Sequence, residues 1–231
     1  MAMKNNEIKI KLEIQKNDIG IDIYFLNDSN FLNELNESNT ELFINDIKYK
    51  YQKFFRPEKE GTYSIILKLK VGIKDCGFMF CDCDNIVSID LSSFNSENII
   101  KMNSMFSRCG NLKNINFSSF DTGRVTDMSC MFFGSKNLED IDLSSFDTRN
   151  AINIENMFAS CDNLKNIDLS SFDTRNVMNM LGVFMNCENL LHINLSSLNT
   201  KKVTDMSHMF HNCYNLKNIN LSSFDGEDLI N

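Results

Sequence analysis

The sequence lacks several things whose absence narrows its function. No uninterrupted apolar run approaches the roughly 20 residues that a membrane-spanning helix needs, although apolar residues make up 42% of the 231-residue chain. Membrane insertion is therefore not expected. The first residues, "MAMKNNEIKIKLEIQKND", alternate charge with isoleucine where a secretory signal would be continuously apolar. As written the chain reads as cytoplasmic, and as a cell-surface protein if it is a fragment whose signal and anchor lie elsewhere. Glycine is scarce, nine residues in all and scattered, so no phosphate-cradling loop is present. The single proline is Pro57, in a turn-like "RPEKEG".

A basic stripe is also missing. The net charge is −8, and residues 1–75 balance with twelve basic and twelve acidic side chains, which leaves 11 basic against 19 acidic in the remainder. Nucleic-acid binding is not expected from such a distribution. The acidic half reads either as a solubilising surface or as one that meets a basic partner or a cation.

What the chain has in abundance is repetition. Met79, Met105, Met131, Met157, Val183 and Met209 are each followed by phenylalanine, at a constant step of 26 residues. Thirteen residues after each comes a serine pair, closed by Phe94, Phe120, Phe146, Phe172, Leu198 or Phe224. A fixed period of this size predicts a solenoid, since one repeat alone cannot bury its apolar edge. Within a period, "NLKNINFSSF" spaces Leu112, Ile115, Phe117 and Phe120 like the strand of a leucine-rich repeat. "VTDMSCMFFGS" spaces Val125, Met128, Met131 and Phe132 like one face of a short helix. The predicted fold is an α/β repeat solenoid, a right-handed coil with a parallel sheet on one face and helical turns on the other. Six strands at about 4.8 Å would make that sheet roughly 25 to 30 Å long.

Residues 1–70 lie outside the period and read as a small β-rich capping domain ahead of a repeat region over 71–231, its sixth repeat incomplete. "NEIKIKLEIQ" and "GIDIYFL" flank "KNDIG" as a predicted hairpin; "ELFINDIKYKYQKFF" and "GTYSIILKLK" supply further strands. "NDSNFLNELNESNT" is read as a loop or short helix. The last strand has no polar cap after it, so self-association through an uncapped C-terminal coil is one reading and a fragment is another.

Cysteines number eight, and Cys83, Cys109, Cys161, Cys187 and Cys213 all fall four residues after the methionine column, with Ser135 in the third copy. Stacked thiols at that spacing have parallel Cβ vectors about 5 Å apart, which suits small buried side chains better than disulfides. Cys76, Cys81 and Cys130 stand outside the column. His208, His211 and Cys213 are three potential zinc ligands without a convergent fourth. The "SS" pairs have no histidine at a repeated offset. No catalytic residue, metal site or cofactor is predicted.

The remaining candidate is the outward face of the strands, where alternation places Asp90, Asn116, Asp142, Asp168, Asn194 and Asn220. Ser88, Asn114, Asp140, Asn166, His192 and Asn218 flank them. From these two stripes the predicted partner-binding set is Asp90, Asn116, Asp140, Asp142, Asn166, Asp168, His192, Asn194 and Asn220. The alternative is that stacked amides and hydroxyls bond along the ladder and have no further role. Asp140, Asp142 and Asp168 also make a cation site conceivable, though a poor calcium motif.

The recurring phrase "MFxxCxNLxxIxLSSFDTxxVxxM", over residues 76–231, resembles the BspA-type leucine-rich repeat family, and the leading 70 residues resemble the domain that precedes such repeats in its eukaryotic members. The resemblance implies a right-handed solenoid without enzymatic activity that binds a protein partner or mediates adhesion. The expected function is a non-catalytic protein–protein interaction module using the strand face, with a cell-surface adhesin as the alternative. The sequons at Asn116, Asn194 and Asn220 would place glycans on that face in a secreted chain.

Overall fold

A computed structural model describes residues 6–28, 32–217 and 219–224. Among these residues ten strands occur in order: β1 (Glu7–Ile14), β2 (Ile23–Tyr24), β3 (Thr40–Ile44), β4 (Ile47–Tyr49), β5 (Phe54–Phe55), β6 (Gly61–Leu69), β7 (Ile86–Asp90), β8 (Asn114–Asn116), β9 (Asn166–Asp168) and β10 (His192–Asn194). A 3₁₀ turn occupies Lys16–Asp18.

The largest sheet has the order β4-β3-β6-β1-β7-β8 and is mixed. Its first five strands are antiparallel neighbours, while β7 and β8 run parallel. β1 sits at its centre because alternate residues Ile8, Ile10, Leu12 and Ile14 are all buried. The hairpin expected between the first two predicted strands does not form. β1 pairs instead with β6, Ile10 opposite Ile65, and with β7, while β2 pairs with β5. The intervening residues are held as a 3₁₀ turn in which Asp18 accepts from the Gln15 N–H at 2.8 Å. A hairpin does form between β3 and β4, where Asn45 and Asp46 take φ of 48° and 64°, as a two-residue turn of this kind requires.

The predicted α/β solenoid with helical turns is overturned. The repeats fold as strands and turns, in short mixed sheets that form neither a closed coil nor an α/β solenoid. The reason lies in the methionine-phenylalanine stretch. In each copy two residues adopt left-handed backbone, one before the Met/Val and one three after it: Phe78 and Asp82, Ser104 and Arg108, Cys130 and Gly134, Asn156 and Ser160, Gly182 and Asn186, His208 and Asn212. An L-residue in that region breaks a right-handed helix. Met131 and Phe133 donate their N–H groups three residues back, to Met128 and Cys130, as successive β-turns do. Met128, Cys130 and Phe132 donate to the next repeat, to Asn153, Glu155 and Met157 at 2.7–2.9 Å. A chain of three-residue turns spaces its inward residues as a helix does, and the sequence pattern cannot separate the two.

Successive repeats thus lie in parallel register along the turn side, bridged from Asp75 through Lys101, Asp127, Asn153 and Asn179 to Asp205. The strand side is less regular. β7 pairs with β8 and β9 with β10, but Asp140–Asp142 between them belongs to no strand.

Three columns of side chains knit the repeats. Phe80, Phe106, Phe132, Phe158, Phe184 and Phe210 stack with centroids 5.4 to 5.8 Å apart. Buried Thr122, Thr148 and Thr174 each clamp the residue 25 positions on, donating to its carbonyl and accepting from its N–H. In the thiol column, Cys109, Cys161, Cys187 and Cys213 donate to the carbonyls of Phe80, Phe132, Phe158 and Phe184 at 2.9–3.1 Å. Ser135 does the same to Phe106 at 2.8 Å, so the slot selects a small donor and serine fills it as cysteine does.

All eight cysteines are free, and only Cys130 and Cys213 are more than marginally exposed. Burial pushes every thiol of the column up, away from the reactive thiolate. Titration with an aromatic disulfide should therefore find eight thiols after denaturation and rapid reaction at Cys130 and Cys213 alone in the folded chain; rapid reaction at Cys161 would contradict this packing.

Candidate partner-binding face

The outward strand residues form a groove of about 750 Å³ between β8 and β10. Of the nine predicted residues, six line it: Asp140, Asp142, Asn166, Asp168, His192 and Asn194. Asn116 lies on the same face of β8, outside the lining. Asp90 is set apart, half-buried on β7 beside Lys9 of β1. Asn220 is exposed on the last repeat, and the flanking Asn218 lies outside the described residues.

The groove also contains residues that the outward-face pattern did not select for binding. Ile115, Ile141, Ile167 and Ile193 contribute an aliphatic floor, and Lys217 closes one end. The isoleucines read as core from their inward phase, yet three of the four are only half-buried. Asn114 was legible as a flanking residue. Lys217 belongs to a column that carries Val87, Lys113, Glu139, Lys165 and Leu191 in the other copies, so nothing in the pattern marks it.

Local chemistry explains why the outward column is aspartate or asparagine throughout. Asp90, Asn116, Asp142, Asp168, Asn194 and Asn220 each accept from the N–H two residues on, at 2.9–3.2 Å, which turns the chain out of the strand. Bonding along the column also occurs: Asn116 donates to Asp90 at 3.0 Å and Asn194 to Asp168 at 3.1 Å. Ser144 holds the Asp142 carboxyl below the usual range through its hydroxyl and N–H, and Ser170 with Asn194 does the same for Asp168. Both are therefore ionised at neutral pH. Asp140 is exposed and makes no ion pair, nor do Asp142 and Asp168, among the described residues.

Other candidates do not converge. The His208 and His211 rings meet edge to face at 5.5 Å, but the Cys213 thiol turns inward to the Phe184 carbonyl. Among the described residues no group of three His, Cys, Asp or Glu side chains is arranged to hold a metal ion, Asp140, Asp142 and Asp168 included. Among the described residues no helix is long and apolar enough to cross a membrane.

The chain is thus a protein of stacked 26-residue β-and-turn repeats preceded by β-rich strands, with an acidic groove on the strand side. It belongs to the family described as "Mycoplasma protein of unknown function, DUF285", whose model matches residues 74–192 and again 142–231. No curated protein and no solved structure matches it.

Proposed function

We propose that the repeats act as a non-catalytic protein-interaction module whose working surface is the strand-side groove, and that the partner presents an extended basic segment. The observation that carries this is the convergence of Asp140, Asp142 and Asp168, which make no ion pair among the described residues, over an aliphatic floor of isoleucines. Carboxylates spaced along a groove select and orient a cationic partner, and half-buried isoleucine supplies the apolar contact that ion pairs in water lack. The fixed Asx turns favour this role, because the carboxylates are held in place before a partner arrives. The likeness of the "MFxxC" and "SSFDT" phrases to BspA-type repeats is in keeping with an interaction role.

A displayed library of 12-residue peptides, selected on the intact chain, tests the reading. Selected sequences should be rich in lysine and arginine, and their affinity should fall at least about tenfold between low and moderate salt. The double variant Asp142→Asn, Asp168→Asn, which keeps both turn-forming oxygens and removes the charges, should lose binding at least about tenfold while unfolding near the wild-type temperature. Selection of uncharged peptides that ignore the loss of both charges would reject the groove as the site.

A further inference from the structure

The six-stranded sheet leads into the repeats at β8, but its other outer strand, β4, pairs with β3 alone. β4 lies inside a stretch described without a break from residue 32 to 217. The register fixes which of its main-chain groups are spent. Ile44 faces Ile47 across the two-residue turn, so Ile47 and Tyr49 direct their N–H and C=O groups at β3. Alternation turns those of Lys48 and Lys50 outward, where no described residue bonds them. Such an edge is a template for another strand.

The side chains point the same way. Opposed residues of an antiparallel pair share a face, so Ile47 and Tyr49 continue the face on which Leu42 and Ile44 are buried. Yet Ile47 is 62% exposed and Tyr49 45%, against 0% for Leu42 and 4% for Ile44. The core face thus runs out to the edge of the sheet and ends there uncovered. The opposite face is defended: the Lys48 and Lys68 ammonium groups stand over the Phe43 ring at 5.9 and 5.2 Å. Lys48 also reaches Glu41 at 2.8 Å and Lys50 reaches Glu37 at 3.2 Å, in pairs open to solvent.

We propose that β4 is a docking edge for an extended segment of a second protein, one that alternates apolar and acidic residues and adds to the sheet as a further strand. The outward N–H and C=O groups of β4 call for an extended main chain. The apolar face of the segment covers Ile47 and Tyr49. Its acidic face meets Lys48 and Lys50, whose exposed intramolecular pairs hold them only weakly. A second copy of β4 is the wrong occupant, because its own lysines would lie against Lys48 and Lys50 across the pair. The edge is separate from the strand-side groove and takes a partner of opposite charge.

A synthetic peptide of alternating glutamate and valine tests this on the intact chain, with amide exchange read residue by residue. In the free chain the Lys48 and Lys50 amides should exchange at least about a hundredfold faster than those of Ile47 and Tyr49. Peptide at about 1 mM should slow the first pair at least about tenfold, and the same peptide with lysine in place of glutamate should not. Lys48→Pro removes the outward N–H without touching the bonds to β3 and should weaken the peptide at least about tenfold, whereas Lys48→Thr, which keeps that N–H, should weaken it less. If proline unsettles the hairpin, Ile47→Ser with Tyr49→Ser should produce the loss at an unchanged melting temperature. The proposal is overturned if the Lys48 and Lys50 amides are already protected in the free chain, if the acidic peptide leaves them unchanged, or if the proline and threonine chains bind it equally. Dimerisation of the chain that Lys48→Pro abolishes would overturn it as well, by assigning the edge to a second copy.

Discussion

Replacing Phe132 with alanine is expected to lower stability by about 4 kcal/mol, the middle of the range for a fully buried phenylalanine, and to lower the melting temperature by roughly 10 °C in a chain of this size. The ring has no solvent exposure and lies between Phe106 and Phe158, both at 5.4 Å and within 8° of parallel. Phe117 closes on its edge at 6.3 Å. Truncation opens a cavity in a column whose backbone is pinned on both sides, since Phe132 N donates to Met157 and its carbonyl accepts the Cys161 thiol. Neither neighbour can collapse into the gap without breaking those bonds. The same substitution at Phe210, which among the described residues stacks on Phe184 alone, should cost much less. Urea unfolding of both variants measures the contrast, and equal losses would show that the stack is not a shared core.

Thr148→Val should cost about 2 to 4 kcal/mol, because a methyl replaces a buried hydroxyl that serves two backbone groups at once and leaves both without a partner. That hydroxyl donates to the Asp173 carbonyl at 3.1 Å and accepts from the Asp173 N–H at 2.8 Å. Shape and volume are conserved, so the loss isolates the hydrogen bonds from packing. Thr148→Ser keeps the clamp and should retain most of the stability. If valine and serine unfold at the same denaturant concentration, the clamp contributes little and the phenylalanine stack dominates the junction.

The sequence was most informative where a column of identical residues has one physical use. Methionine, phenylalanine and the thiol fall in register every 26 residues, and Ser135 in the thiol column already identified a slot for a small side chain. Its bond to Phe106 shows that the slot also requires a donor. The recurrent "DT" was visible as a pattern, but its role as a two-way clamp depends on the neighbouring backbone. Helical turns were misread because residues three apart line one face of a helix and also begin successive β-turns. The distinguishing feature is positive φ at residues such as Phe78, Ser104 and Arg108, and glycine, which would have signalled it, occupies only Gly134 and Gly182 among those positions. The first hairpin failed for a different reason: local alternation in β1 fits any neighbour, and its partners β6 and β7 lie far along the chain.

On the strand face, alternation was enough to bring six of nine residues to one groove. Their chemical type was less informative than it looked, since the Asx turns alone call for aspartate or asparagine. Lys217 and the isoleucine floor were invisible as binding residues because their columns vary or read as core.

The break at Asp140–Asp142 has a mechanical consequence. Bridges run unbroken from Asp75 to Asp205 on one side of the repeats, while strand pairing on the other side is interrupted at its middle. The molecule is built like a bound book, with a continuous spine and a fore-edge whose central leaves are stitched by other threads: Lys165 N–H to the Glu139 carbonyl, and the Ser145 and Ser171 hydroxyls to the Phe117 and Leu143 carbonyls, each at 3.0 Å. The main chain of Asp140–Asp142 is thereby left without strand partners at the middle of the acidic groove.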